Sequence, residues 1–425
     1  MNYSTTVDQS IDLSFKEAFF QGMGKDSSLI VPQSFPKIDT TQLIGKSMQE
    51  MGSMLLFPFL EGDIDQAELL HMLNRSLSFP IPLKKIDDNY ILELFHGPTQ
   101  SFKDVAAQFL GNLVEYFLKG SAREIVVVTA TSGDTGGAVA AGFANKKNVR
   151  VLILYPKNGV SAVQRRQITH VVANVFPIEI DGTFDECQKY VKQFFTDKRL
   201  HQFKLTSANS INIGRLLPQM MYYAYVWSQL TNDTLRCIVP SGNMGNVTAG
   251  LYAKRIGIPI GNFHIACNEN DAVLKYFETG TYLPRQTKRT ISNAMDIGNP
   301  SNFERILHLY NHDLSALKKD VSVSTTNDED TIRTIQEVYT NHDYLLDPHT
   351  AVAWNAAQKT KFKGTTDVII ATASPAKFSK ELYEYTGILN IPTEARSISV
   401  GQPEKSNKPI KDYDTALEYV LTCLK

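Results

Sequence analysis

IVVVTATSGDTGGAVAAG, residues 125–142, holds a strand, a loop and a helix in immediate succession. Ile125–Thr131 is short and rich in β-branched residues, as a strand buried on both faces of a parallel sheet should be. Thr131–Gly137 is glycine-rich, and the small apolar run from Ala138 continues as a helix. A glycine-rich loop between a strand and a helix N-terminus offers free backbone N–H groups and the positive end of a helix dipole to an anion. The loop is neither a Walker loop, since no GK[ST] follows, nor GxGxxG. Taken alone it reads equally as a tight turn with Asp134 or Thr135 as helix cap.

Working outward, the same rhythm continues. Val149–Tyr155, Asn174–Ile180, Leu235–Pro240, Phe263–Cys267 and Asp367–Ala373 are further strand candidates, separated by amphipathic segments. Upstream, Val105, Phe109, Leu113 and Phe117 form one helix face, and Gly120 stands where that helix should be capped. Alternating strands and helices imply an α/β protein with parallel sheets covered by helices. Residues 1–90 lack the rhythm and read as a helical N-terminal region, closed by the proline-rich Phe79–Lys85; residues 91–425 form the second region.

Composition narrows the class. The 425 residues are 43% hydrophobic and 20% charged, enough for several packed domains. A net charge of −1 implies no bulk attraction to nucleic acid or anionic membrane, so small molecules are the expected partners. Cys187, Cys237, Cys267 and Cys423 are scattered, which supports neither a disulfide framework nor a metal site and fits a reducing, cytoplasmic setting. The first residues lack the basic-then-apolar order of a signal peptide, and no apolar stretch approaches the length of a membrane helix.

Four more segments carry candidate chemistry. In HGPTQSFKD (His96–Asp104), Gly97 and Pro98 make a turn, Ser101 can cap the following helix, and Lys103 sits in its first turn. A cation there opposes the dipole, so Lys103 is either solvated or used deprotonated, as a Schiff-base lysine must be; FKD by itself reads as a surface lysine. PSGNMGNVTAG (Pro240–Gly250) repeats the strand–loop–helix layout, and Gly242, Asn243, Met244, Gly245 and Asn246 can fold into a nest of N–H donors suited to a phosphate. In ANSINIGR (Ala208–Arg215), Asn209 and Ser210 can cap a helix beginning near Ile211 and Arg215 can reach back to the same end. That set reads as a phosphate clamp or as a capped helix with a surface arginine. In ATASPAKF (Ala371–Phe378), Thr372 ends a strand and can point a hydroxyl toward the cleft, though read alone it is a structural threonine, while His349 of DPHTAVAW reads as a cap or core histidine. Two anion loops in one chain suggest two anionic groups meeting at the carboxyl ends of parallel strands.

These segments resemble threonine synthases. HGPTQSFKD, TATSGDTGGAVA, ANSINIGRLLPQ, PSGNMGNVTAG, SNAMDIGNPSNF, DPHTAVAW and ASPAKF occur in the order found in that family, and the N-terminal DLSFKEAFFQGMGKDSSLIVP is similar to the start of its long-chain bacterial and fungal members. The resemblance implies fold type II of the pyridoxal-phosphate enzymes: two open α/β domains with pyridoxal 5'-phosphate between them. It implies that Lys103 holds the cofactor, that Gly242–Asn246 binds its phosphate and that Thr372 meets its ring nitrogen. Ser132, Gly133, Asp134 and Thr135 match the loop that receives the substrate's carboxylate end, with Thr135 toward its phosphate. Asn209, Ser210 and Arg215 match the grip on that phosphate. The implied reaction converts O-phospho-L-homoserine and water to L-threonine and phosphate, carried out by a monomer. The sequence departs from the family's usual Phe and Asp at Met244 and Asn246, and from the common His at Ser374. Threonine dehydratases and cysteine synthases share the fold but need no clamp like ANSINIGR.

Overall fold

The computed structural model describes residues 1–24, 26–362, 364–392 and 404–425. Its strands are β1 (Tyr3–Thr5), β2 (Ile30–Pro32), β3 (Leu83–Ile86), β4 (Asn89–Glu93), β5 (Ile125–Ala130), β6 (Val149–Pro156), β7 (Val175–Ile180), β8 (Lys204–Ser207), β9 (Leu235–Pro240), β10 (Ile260–Cys267), β11 (Val321–Thr325) and β12 (Thr366–Ala371). β5–β8 make one sheet in the order β7-β6-β5-β8, with every pairing parallel. The larger sheet runs β11-β10-β9-β12-β4-β3 and is parallel except for the β3–β4 hairpin at its edge. The smaller sheet is thus built from chain inserted between β4 and β9 of the larger one. The carboxyl ends of β5, β9 and β12 open into one cleft between the two sheets, where ligands of open α/β sheets bind.

The expected strands form. β10 starts three residues earlier than its apolar run, and β12 ends at Ala371, so Thr372 stands just beyond it. β4, β8 and β11 escape a reading by apolar runs. β8 and β11 are short and only partly buried, with hydroxyls among their residues, and β4 sits within a hairpin. Residue 90 lies within β4, and both β4 and β3 before it belong to the larger sheet.

The N-terminal region is mostly helical, at Phe15–Gln21, Met48–Leu60 and Gln66–Ser76, but β1 and β2 also pair in it. Ser14 and Ser47 close full capping boxes with Glu17 and Glu50. These helices share one core with the helix Lys103–Leu118: Val105, Phe109 and Leu113 are buried, and Phe117 lies 5.8 Å from the Phe19 ring. The N-terminal region therefore presses on the helix whose first residue is Lys103. That helix ends as expected, with Gly120 at φ 75 just beyond its cap. At the other end of the chain, the helix Tyr413–Cys423 buries Ala416, Leu417 and Val420 against the smaller sheet.

Candidate active site

Lys103 is placed by a crossing of two segments. Phe102 N–H donates to the Thr372 carbonyl at 2.8 Å, and Ser374 N–H donates to the Gln100 carbonyl at 3.0 Å. Together they tie the loop of Lys103 to the end of β12. The helix cap is Phe102 rather than the expected Ser101; Ser101 lies a long 3.4 Å from the Thr99 hydroxyl. Asp104 anchors the loop instead, its two oxygens receiving Thr99 N–H at 2.8 Å and Thr99 Oγ1 at 2.6 Å. Burial raises the Asp104 carboxyl to about 6. A Cβ on Gly97 would come within 2.6 Å of Asp104 Cβ, so this approach needs glycine.

The Lys103 side chain is 16% exposed, its amine 3.5 Å from Asp134 Oδ2. It is not a solvated surface lysine. Burial lowers its pKa; Asp134 acts the other way, and the cations of Lys377 and Arg215 add to the lowering. A buried amine with a lowered pKa is suited to nucleophilic and base chemistry.

The loop after β5 is folded by Thr131, whose hydroxyl accepts from Gly133 N–H at 3.0 Å and Gly136 N–H at 2.8 Å. The helix Asp134–Gly142 has Gly133 at its cap with no side-chain cap bond, so neither Asp134 nor Thr135 caps it. Asp134 turns inward. Its Oδ1 takes Lys377 Nζ at 2.6 Å and Gln164 Nε2 at 3.0 Å. Burial works against its ionisation, but Lys377 and Lys103 outweigh burial and hold its carboxyl well below the usual range. Ser132, Asp134 and Thr135 line the cleft with Lys103. Gly133 lies behind them, at φ 144, with Gln164 pressed against its α-carbon.

At the end of β9, Met244 adopts φ 60, ψ 6 as cap of the helix Gly245–Ile256. The first helical bond joins Thr248 N–H to the Met244 carbonyl, so the amides of Gly245, Asn246 and Val247 have no acceptor within the helix. A Cβ on Gly242 would come within 2.7 Å of Met295 Cα, which keeps that backbone bare. Asn246 Oδ1 accepts from the Tyr223 hydroxyl at 2.5 Å, and its buried Nδ2 has no partner among the described residues.

The segment after β8 differs in detail from the expectation. The helix is Ile213–Leu216 and its cap is Asn212, which accepts from Gly214 N–H at 2.9 Å. Asn209 and Ser210 are therefore free of capping. Asn209 is fixed by Ala130, donating to its carbonyl at 2.7 Å and accepting from its N–H at 3.1 Å. Ser210 Oγ accepts from Asn243 Nδ2 at 2.7 Å and from Asn302 Nδ2 at 3.2 Å. Arg215 is buried, reaching back to the Ala208 carbonyl at 2.5 Å, and its Nε has no partner among the described residues. Burial lowers its pKa to about 10, so it stays charged at neutral pH.

Thr372 and His349 complete the wall. His349 Nε2 accepts from Ala294 N–H at 3.2 Å while Nδ1 contacts Asp347 Oδ1 at 2.7 Å, which sets the proton on Nδ1. Ser374 instead caps the turn Pro375–Phe378. Sequence reasoning missed Lys377, Gln164, Asn302 and Arg305. Lys377 stands inside the quoted ASPAKF and Asn302 inside SNAMDIGNPSNF, but residue type alone does not announce a buried cation. Arg305 is fully buried and donates to the carbonyls of Ile30, Ser210 and Ile211.

One cleft thus holds a buried amine, a glycine-rich N–H nest and a separate cation-bearing cradle. Free helical amides, the bare Gly242 backbone, the partnerless Asn246 Nδ2 and the nearby Lys103 amine fit a phosphate-bearing aldehyde cofactor such as pyridoxal 5'-phosphate. The partnerless Nε of Arg215 fits a second anion.

Comparison with known proteins agrees with this reading. Residues 83–373 match the family described as pyridoxal-phosphate dependent enzyme, and residues 2–77 match the threonine synthase N terminus. A threonine synthase of Haemophilus influenzae is 38% identical, over 88% of this chain and 89% of its own length. The crystal structure of threonine synthase from Escherichia coli superposes with a TM-score of 0.93 at 34% identity, covering 100% of both chains. A pyridoxal-phosphate-bound threonine synthase from Brucella melitensis gives a TM-score of 0.91 at 33% identity, covering 100% of this chain and 99% of that one.

Proposed function

Because the chain belongs to the threonine synthase family of pyridoxal-phosphate-dependent lyases, we propose that it converts O-phospho-L-homoserine and water to L-threonine and phosphate with the residues gathered in this cleft. The observation that carries the proposal is the Lys103 amine in one cleft with two distinct anion cradles, Gly242–Asn246 and Asn209–Arg215. Fold relatives acting on unphosphorylated amino acids have use for only one phosphate cradle.

In the proposed reaction the α- and β-protons leave, phosphate departs from the γ-carbon, protons return to the γ- and α-carbons, and water adds at the β-carbon. When bound, the pyridoxal ring supplies the electron sink for the carbon acids. Lys103 carries that cofactor and is the catalytic base and acid at the α-carbon, its amine made available by burial. Gly242, Asn243, Met244, Gly245 and Asn246 hold the cofactor's phosphate through backbone N–H groups, and Thr372 offers a hydroxyl to its ring nitrogen. The substrate's α-carboxylate meets the N-terminus of the helix Asp134–Gly142, with Ser132 and Thr135 as hydroxyl donors. The Asp134 carboxylate is taken up by lysines, so it orients Lys103 rather than binding an anion. Arg215, Asn209 and Ser210 hold the substrate phosphate and stabilise charge as its C–O bond breaks.

We assign the N-terminal region to residues up to about 77 and the catalytic region, of two α/β subdomains, to the rest, since β3 and β4 belong to the larger sheet. A monomer suffices, because one chain furnishes every wall of the cleft. A cytoplasmic setting is supported by four free cysteines, and no described helix is long and apolar enough to cross a membrane. Incubation of the cofactor-loaded protein with O-phospho-L-homoserine tests the function: equimolar L-threonine and phosphate are expected. Phosphate release with a 2-oxo acid as the organic product would overturn it.

A further inference from the structure

Behind Asp134 lies a second buried lysine. Lys377, in the turn Pro375–Phe378, is fully buried and does not line the cleft. Its ammonium is 2.6 Å from Asp134 Oδ1 and 2.8 Å from the Thr99 carbonyl. Gln164 Nε2 donates to the same Oδ1 at 3.0 Å. Oδ1 is thus saturated from behind, and Oδ2 is the oxygen facing the Lys103 amine at 3.5 Å. A buried ammonium is tolerated only when paired, so the contact with Asp134 is built in.

We propose that Lys377 is a positioning residue for Lys103: it neutralises Asp134 from the far side, so that Asp134 Oδ2 orients the Lys103 amine without holding it protonated. A bare carboxylate at this distance in a buried site would favour the ammonium form, which can neither attack a carbonyl nor take a proton. A carboxylate already paired with a second cation keeps its hydrogen-bonding oxygen but loses most of its net field. The other charged or titratable groups around the pair are Arg215, whose charge acts on Lys103, His349, which acts electrostatically on Asp134, and Asp104, which lies within the field of Lys377. Arg215 favours the neutral amine as Lys377 does, leaving Asp134 the anion that opposes them at Lys103. The inference rests on Lys103 being the cofactor lysine.

The test compares wild type with Lys377→Met, Lys377→Arg, Asp134→Asn and the double variant Lys377→Met/Asp134→Asn. In apoenzyme dimethylated with ¹³C-formaldehyde, the Lys103 signal is identified by its absence in Lys103→Arg and titrated by NMR. Lys377→Met should raise the Lys103 midpoint by about one pH unit or more. Lys377→Arg should stay near wild type, and the double variant should return toward it because a neutral pair again replaces a neutral pair. In the holoenzyme the acid limb of kcat/KM should move up with the midpoint in Lys377→Met, with kcat falling more than KM changes. An unmoved midpoint in Lys377→Met, or an equal rise in the double variant, overturns the proposal. If Lys377→Met does not fold, the cycle is read from its other side: Asp134→Asn should lower the midpoint and added Lys377→Met should restore it, and failure to restore it counts equally against the proposal. Borohydride labelling of wild-type holoenzyme separates the two layers. A label on a lysine other than Lys103 overturns the assignment of Lys103, whereas a label on Lys103 with an unmoved midpoint overturns only the role of Lys377.

Discussion

Asn243 Nδ2 donates to Ser210 Oγ at 2.7 Å, joining the loop after β9 of the larger sheet to the loop after β8 of the smaller one. Asn302 Nδ2 donates to the same oxygen at 3.2 Å, so both lone pairs of Ser210 are occupied and its proton is left to donate elsewhere. The two anion cradles are therefore joined by a side-chain hydrogen bond. Ser210→Ala should remove a donor to the substrate phosphate and loosen Asn243 in the cofactor loop. A loss of about ten- to a hundredfold in kcat/KM is expected, with a several-fold weaker cofactor affinity by equilibrium dialysis. Unchanged cofactor affinity would show that the cradles are independent.

Arg215 is a buried cation whose bonded partner is a carbonyl and whose Nε is unpartnered. A planar guanidinium can meet two phosphate oxygens at once. Arg215→Met should lower kcat/KM for O-phospho-L-homoserine about ten- to a few-hundredfold. It should leave slow side reactions on L-serine or L-threonine nearly intact. Inorganic phosphate should stabilise wild type against thermal unfolding more than it stabilises the variant. An equal kinetic loss on both substrate types would make Arg215 a support of the fold.

Lys103→Ala should abolish turnover, and borohydride reduction of wild type followed by peptide mapping should place the cofactor on Lys103. Thr372→Val should keep the cofactor bound but alter its visible spectrum and slow turnover, since the phosphate nest supplies most of the affinity. Release of cofactor from Thr372→Val, with normal spectra in what stays bound, would reverse that division of labour.

His264 on β10 is held between Ser322 and Ser324 of β11, at 2.7 and 2.8 Å. Burial, with Arg236 nearby, lowers its pKa to about 4 from an ordinary 6.5. As pH falls from 6.5 toward 4, the unfolded chain takes up a proton that the folded chain refuses, so stability is lost on acidification. Between pH 7 and 5 the loss from this residue is about 2 kcal/mol. Urea unfolding at the two values should show a smaller pH difference for His264→Gln than for wild type. An identical difference would place the acid sensitivity elsewhere.

The strands β5, β6, β9 and β12 are legible in the sequence because burial on both faces favours apolar, β-branched runs, interrupted in β9 and β12 by the buried pair Arg236 and Asp367. β8 and β11 are not, because each is only partly buried and its neighbours lie far away in the chain. The site shows the same division. The glycines and asparagines of 240–246 announce a nest through local backbone freedom, and the helical start at Lys103 follows from the turn before it.

What the sequence by itself determined is local: the strand–loop–helix units, the two anion loops, and the family to which their order belongs. Tertiary structure alone decided which groups share a charge. Lys377 lies 274 positions from Lys103 in the chain, yet both reach Asp134. The cap expected at Asn209 or Ser210 passed to Asn212, because contacts with Ala130 and Asn243 took the other two side chains. A hydrogen bond or ion pair depends on distances of a few ångströms, which packing sets and residue order does not. The protonation state of Lys103 follows from burial and from carboxylate and cation neighbours brought by separate segments.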